Sequence, residues 1–206
     1  MQRLFPIFVK LAGRAVLVVG AGKVAENKIE GLLDTGARIR VVAPEATNRV
    51  QEWAMSGLIS LEQRAYTASD LEGILLVVVA TSSNSVNGAI FRGANSRGIL
   101  CNVVDVPELC DFFYPAVIRR GDLQIAISTA GQSPSLAQKL RQQLERQFSP
   151  RYGEWVAELG KTRREILRSD LEPGVKRCLL QSLASREAFE ARLVARHGQE
   201  SQGVTA

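Results

Sequence analysis

The stretch AVLVVGAGKVAENKIEGLLDTGARIRVVAPE, Ala15 to Glu45, changes character at Gly20-Ala21-Gly22. Ahead of the glycines the chain is apolar and β-branched, as a strand buried on both faces should be. After them it reads as a helix over about 23–35, and a second β-branched run follows at 39–43. Strand, sharp turn, helix and strand in this order make a parallel βαβ unit, whose crossover is right-handed. Within the Gly-x-Gly-x-x-Ala sequence, Gly20 permits the tight turn and Gly22 lets the backbone approach a pyrophosphate. The small Ala25 lets the helix pack closely on the strand. Phosphates would then meet the unpaired N–H groups and positive dipole end of the helix. The junction therefore predicts a dinucleotide site.

The alternation continues through the first half. A helix is expected near TNRVQEWAM, then strands at ISLEQRA and ILLVVVA, a helix over SVNGAIFRGANSRG, and a strand at ILCNVV. Apolar strands alternating with helices predict an α/β fold with a doubly wound, Rossmann-type parallel sheet. Near residue 112 the pattern changes. YPAVIRRGDLQIAIST predicts a hairpin turning at Arg119-Arg120-Gly121-Asp122, and SPSLAQKLRQQLERQF a helix with Ser133 as N-cap and Pro134 in its first turn. Three pieces result: a Rossmann domain over 1–112, a hairpin-plus-helix segment over 113–148, and a small helical domain over 149–206. The last ten residues are expected to be disordered.

The rest of the composition mainly excludes. No apolar run approaches the roughly 20 residues of a membrane span, and the N-terminus lacks signal-peptide features, so a cytoplasmic protein is expected. Three cysteines, Cys101, Cys110 and Cys178, without CxxC spacing argue against a disulfide framework or zinc site. The only histidine, His197, lies in the polar tail, so no metal centre is expected. The net charge of +5 favours anionic partners, but the basic residues are dispersed, against a nucleic-acid tail.

The cofactor set is Gly20, Gly22, Lys23, Val24 and Ala25 at the junction, Pro44 and Glu45 past the second strand, and Thr81 past the fourth. Glu45 reads either as the acid that accepts a ribose 2′-OH, which would favour NAD, or as a solvated loop residue. Arg38 or Arg40 would instead read the 2′-phosphate of NADP. In ATSSNSVN the small polar residues suit a cofactor edge or helix capping, the latter for Asn84 and Ser85.

These blocks, LFPIFVKLAGRAVLVVGAGKVAENKI, VVATSSNSVN, CNVVDVPELCDFFYPAVI and ISTAGQSPSLAQKLRQQLE, resemble the bifunctional precorrin-2 dehydrogenase/sirohydrochlorin ferrochelatase family. That family also forms the N-terminal part of fused sirohaem synthases. The resemblance covers nearly the whole chain and implies NAD-dependent oxidation of precorrin-2, with Fe²⁺ insertion into sirohydrochlorin in bifunctional members. It further implies a central dimerisation segment, hence a homodimer, and a helical module closing over the tetrapyrrole. With the fused methyltransferase part absent, methylation is expected from another protein.

The carried-over catalytic residue is the aspartate of NVVD, Asp105, as general base. On residues alone, an Asp after an apolar strand is more often a helix cap or turn residue, and it is the resemblance that favours the base. Ser128, Thr129, Gly131 and Ser133 of STAGQSP, with Arg119, are the implied substrate contacts, joined by Arg120, Lys139 and Arg141 as counter-charges. In some fused enzymes this motif carries a phosphorylatable serine, whose position here is Thr129, next to Ser128. The alternative to an enzyme is an NAD(H)-binding redox-sensing regulator, which would need a DNA-reading element that the mixed-charge tail helices do not show.

Overall fold

The computed structural model describes residues 3–202, with side chains to residue 194. It divides into two compact units, 1–114 and 115–206. In the first unit, β1 (Ala15–Val19), β2 (Arg38–Val42), β3 (Ser60–Glu62), β4 (Leu76–Val79) and β5 (Leu100–Val103) form one sheet in the order β3-β2-β1-β4-β5. All neighbouring strands are parallel, with Val18 opposite Val41 on one side and Val78 on the other. Helices α1 (Lys23–Leu33), α2 (Asn48–Met55) and α3 (Asn84–Asn95) make the crossovers.

The period of two along β1 divides the core. Val16 and Val18 pack with Ala25, Ile29 and Leu32 of α1 and with Val50 of α2. Leu17 and Val19 pack on the other face with Ile90 and Ala94 of α3 and with Leu71. Each fully buried Leu or Val contributes on the order of 1.5–3 kcal/mol, so β1 needs no polar face. The chain leaves β1 in one direction to reach β2 and returns on the other side in β4. The sheet's topological switch therefore lies between the carboxyl ends of β1 and β4, where open α/β sheets bind ligands.

Strand β3 is shorter than the expected run at 59–65. Past Glu62 the chain bends, and the Arg64 guanidinium donates to Asp70 Oδ1 at 2.6 Å and Oδ2 at 2.8 Å and to Glu62 Oε2 at 2.5 Å. Asp70, 2% exposed, also accepts the Thr67 backbone N–H, closing a short 3₁₀ turn at Ala68–Leu71. These side-chain bonds take over where a fully paired strand was expected. After α3 the chain stops at Gly98 (φ +67°), as the glycine predicted.

The second unit begins with the antiparallel hairpin β6 (Ala116–Arg120) and β7 (Leu123–Ile127). Its turn is only Gly121-Asp122. Arg119 and Arg120 belong to the strand, Arg119 opposite Gln124, rather than to the expected four-residue turn. Gly121 is left-handed (φ +56°), which suits a two-residue hairpin. Helix α4 (Pro134–Gln147) follows, with Ser133 Oγ accepting the Leu136 N–H. Then come α5 (Arg151–Arg168), α6 (Pro173–Leu183) and α7 (Arg186–Gln202). An aromatic cluster of Phe148, Tyr152, Trp155 and Phe189 joins α5 to α7. The tail expected to be disordered is helical as far as Gln202; the side chain of His197 and residues 203–206 lie outside the described residues. Among the described residues no helix is long and apolar enough to cross a membrane.

Candidate active site

The glycine junction sits at the switch point. Gly20 has φ +104°, and a Cβ there would lie 2.4 Å from the Ala80 carbonyl oxygen at the end of β4. Only glycine fits. Gly22 differs: its φ of −82° suits any residue, and a Cβ on it would meet nothing within 4 Å. It caps the start of α1 without a side-chain hydrogen bond, leaving the helix N-terminus bare. With no side chain at Gly22, the backbone at the bare helix start is open to close approach, as a pyrophosphate cradle requires. Ala25 is fully buried against the sheet, whereas Lys23 and Val24 are exposed on the first turn. Lys23 Nζ is 2.6 Å from the carboxylate of Glu26, which is 4% exposed. That ammonium holds the Glu26 carboxyl below its usual range and offsets an acid otherwise facing an anion site.

Pro44 and Glu45 are exposed just past β2, level with the glycine loop, and the Thr47 N–H reaches the Ala21 carbonyl at 3.1 Å. The two arginines that could have read a 2′-phosphate are placed otherwise. Arg38 starts β2 opposite Ala15, at the amino edge of the sheet, away from the glycine loop. Arg40 donates to the Asp70 carbonyl and lies 3.9 Å from Glu62 and 3.8 Å from the Asp70 carboxylate. Past β4, Thr81 Oγ1 donates to the buried Asn87 Oδ1 at 2.6 Å and accepts the Ser83 N–H. Capping of α3 falls to Ser83, whose hydroxyl accepts the Val86 N–H. Asn84 and Ser85, expected as caps, lie inside the helix, because Ser83 already holds the extended conformation that an N-cap needs.

Asp105 lies two residues past β5, at the carboxyl edge, exposed and left-handed with φ +63°. Such a backbone persists only where the surroundings hold it. Here the chain returns antiparallel beside β5. The Asp111 N–H donates to the Cys101 carbonyl at 2.7 Å, Asp111 Oδ2 accepts the Cys101 N–H at 2.9 Å, and buried Asn102 donates to the Phe112 carbonyl at 2.7 Å. The loop 104–109 is therefore closed at its base and presents Asp105 outward. Burial pushes the Cys101 thiol up to about 12 and raises Cys110, leaving both as inert packing groups.

A residue not singled out from the sequence lies on the α1 flank that meets the segment after β5. Lys28 of α1 is half-buried, its ammonium 4.1 Å from the centre of the Tyr114 ring and in the fields of Asp105 and Cys110. A lysine on a helix flank looks like any solvated charge until Tyr114, far along the chain, is folded against it.

In the second unit Ser128, Thr129, Gly131 and Ser133 share one loop between β7 and α4. Ala130 (φ +50°) and Gly131 (φ +80°) are both left-handed there. The hydroxyls turn inward on the loop: Ser128 Oγ accepts the Ala130 N–H and Thr129 Oγ1 the Ser133 N–H, each at 3.1 Å. With the Leu136 N–H also capped and Pro134 lacking one, the start of α4 offers fewer free donors than the motif implied. Arg119 is exposed three register positions along the hairpin from the level at which this loop begins. Arg120 is engaged elsewhere, donating to the Phe148 carbonyl at 2.8 Å past the end of α4. Arg141 pairs with Glu145 at 2.7 Å, and Lys139 is exposed.

Comparison with known proteins gives two family matches. Residues 7–116 match a family described as "Putative NAD(P)-binding", and residues 120–147 one described as "Sirohaem biosynthesis protein central". The siroheme synthase of Methylococcus capsulatus is 40% identical over 192 residues, covering 93% of this chain and 40% of that protein. That of Xylella fastidiosa is 44% identical over 191 residues, covering 92% and 38%. The chain thus spans about two fifths of the length of these relatives. The solved structure of SirC, a precorrin-2 dehydrogenase, superposes with a TM-score of 0.75 at 30% identity, covering 89% of this chain and 91% of that one.

Proposed function

The chain belongs to the precorrin-2 dehydrogenase family of NAD(P)-binding proteins, and from that premise we propose that it oxidises precorrin-2 to sirohydrochlorin with NAD⁺. The observation that carries the reading is the pairing of two features on one sheet edge. A glycine cradle with its Cβ space left open lies at β1, and a left-handed aspartate is held outward at β5. The whole-length likeness to SirC favours the enzyme over the regulatory alternative.

When bound, NAD⁺ supplies the hydride acceptor. The residues of the chain do the rest. Gly20, Gly22 and the first turn of α1, with Lys23, Val24 and Ala25, seat the pyrophosphate. Pro44 and Glu45 meet the adenosine ribose, and Thr81, braced by Asn87, lines the edge of β4. Asp105 accepts the proton that the macrocycle releases as it loses the hydride, giving sirohydrochlorin, the reduced cofactor and one proton. The Ser128–Ser133 loop and Arg119 bind substrate carboxylates. We further propose that Fe²⁺, as a substrate, enters sirohydrochlorin here while two pyrrole protons leave one after the other, the exposed Asp105 accepting each in turn and passing it to solvent before the next. The siroheme synthase relatives support this second step.

The segment 113–148 is proposed as the dimerisation element. Its two-stranded hairpin leaves unpaired edges that are a liability unless covered, and a second copy would cover them. A monomer by light scattering at micromolar concentration would sink that assignment. The free thiols suit a reducing, cytoplasmic setting. The function itself is tested by mixing the protein anaerobically with precorrin-2 and NAD⁺ and following sirohydrochlorin absorbance. No NAD⁺-dependent formation of sirohydrochlorin would refute it.

A further inference from the structure

We propose that Lys28 is a substrate-binding residue, whose ammonium, presented on the face of Tyr114 on the flank of α1 toward the segment that follows β5, takes a carboxylate of the tetrapyrrole. The proposal rests on the dehydrogenase reading above and adds to it the group that sets the macrocycle against the base.

Three observations lead to it. First, Lys28 is half-buried yet makes no ion pair with a carboxylate among the described residues; its ammonium sits over the neutral Tyr114 ring at 4.1 Å. A ring face attracts a cation but accepts none of the strong hydrogen bonds an ammonium loses on leaving water. Burial accordingly pulls the Lys28 ammonium below its usual range, opposed by the fields of Asp105 and Cys110. An anion arriving at this ammonium would supply what the protein does not.

Second, the two flanks of α1 are divided. Successive helix positions turn by about 100°, so Glu26 and Lys28 point about 200° apart. Glu26 is paired with Lys23 and lies in the field of Arg49, on the β2–α2 side. Lys28 faces Tyr114 and lies in the fields of Asp105 and Cys110, all of which follow β5. A dinucleotide laid across the switch point has its adenosine half toward β2 and its reacting half toward β4 and β5. Lys28 therefore flanks the half where substrate must meet cofactor.

Third, Lys28 is the sixth residue of α1, so its Cα lies about 9 Å along the helix axis from Gly22. A pyrophosphate seated at the helix start already has the bare N-terminus and Lys23. The substrate, a polycarboxylate, is the anion that lacks a partner on this side.

The test compares Lys28→Met, Lys28→Gln and Lys28→Arg in the full chain. The probes are sirohydrochlorin alone, by fluorescence quenching, NAD⁺ alone, by calorimetry, and precorrin-2 with saturating NAD⁺, by turnover. Loss of a charge-assisted hydrogen bond should weaken sirohydrochlorin binding by about tenfold or more. KM for precorrin-2 should rise more than kcat falls, NAD⁺ affinity should stay within about twofold, and Lys28→Arg should restore most of the binding. Unchanged sirohydrochlorin affinity in folded Lys28→Met or Lys28→Gln overturns the proposal. So does a parallel loss of NAD⁺ affinity, which would make Lys28 a phosphate ligand. If the wild-type protein binds sirohydrochlorin but does not oxidise precorrin-2, the dehydrogenase reading fails while the binding comparison still judges Lys28.

Discussion

Gly20 and Ala80 meet at the switch point of the sheet so closely that a Cβ on Gly20 would stand 2.4 Å from the Ala80 carbonyl oxygen. The backbones of the β1 and β4 ends are thereby locked together, and the whole glycine loop is aimed from that contact. Gly20→Ala meets both a backbone clash and a φ of +104°, and should lose several kcal/mol in urea unfolding. Gly22→Ala, with ordinary φ and open space, should unfold within about 1 kcal/mol of the wild type. Equal stability of the two variants would mean that the close approach is not what holds the loop.

Cofactor choice can be read at β2. With Arg40 held by Asp70 and Glu62 and Arg38 at the far edge, neither arginine is placed to read a 2′-phosphate, and Glu45 remains the proposed ribose acid. The wild type should prefer NAD⁺, and Glu45→Ala should narrow that preference toward NADP⁺, read as the ratio of kcat/KM for the two cofactors. A wild type that prefers NADP⁺ would remove Glu45 from the site.

Asp70 should govern acid stability in the first unit. The Arg64 guanidinium holds its carboxyl down to about 2 from an ordinary value of 3.8. The sign follows: this stabilisation is complete above about pH 4 and is lost as pH falls toward about 2. Allowing for the partial exposure of Arg64, it amounts to about 1–2 kcal/mol. Asp70→Asn should cost about 1–3 kcal/mol at neutral pH, by removing the buried carboxylate that Arg64 pairs with and leaving Glu62 as its remaining partner, and should flatten the acid limb of the stability profile. An unchanged limb in urea titrations between pH 2 and 5 would exclude this pair as its source.

Gly153 of α5 lies against the hairpin turn, where a Cβ would come 2.9 Å from the Arg120 carbonyl carbon. Gly153→Ala should therefore push α5 from β6 and cost about 1–3 kcal/mol. A gain in stability from the better helix former would show instead that the contact yields freely.

Much of the first unit was legible because its signals are local. The apolar runs of β1 and β4, the Gly-x-Gly turn and the Gly98 stop each depend on neighbours in the chain. What escaped depends on distant meetings. Glu62, Arg64 and Asp70 shorten β3 by bonding across a bend, and Thr81 is braced by Asn87 rather than standing free. The turn of the β6–β7 hairpin tightened to two residues because Arg119 and Arg120 found partners on β7. Lys28 became notable only when the chain after β5 brought the Tyr114 ring onto its ammonium.

The two proposed activities should separate by residue. Dehydrogenation needs NAD⁺ and a proton acceptor; chelation needs the macrocycle, Fe²⁺ and a proton acceptor, with no dinucleotide. Gly22→Asp puts a carboxylate into the open space at the start of α1, against like charge, in a backbone that accepts it. It should fold, bind NAD⁺ at least about a hundredfold more weakly and lose dehydrogenation, yet insert Fe²⁺ into supplied sirohydrochlorin. Asp105→Ala should lower both reactions, since general-base removal costs about 10²–10⁴-fold. Its φ of +63° supplies a control, because Asp105→Asn keeps a side chain that tolerates the left-handed conformation while removing the base. If Asp105 only shapes the loop, Asp105→Asn should retain turnover and Asp105→Ala should merely melt earlier. If Asp105 is the base, both variants lose both activities at full occupancy of the folded state. Wild-type turnover of folded Asp105→Asn in both assays would end the shared-base mechanism, and loss in one assay alone would assign Asp105 to that reaction.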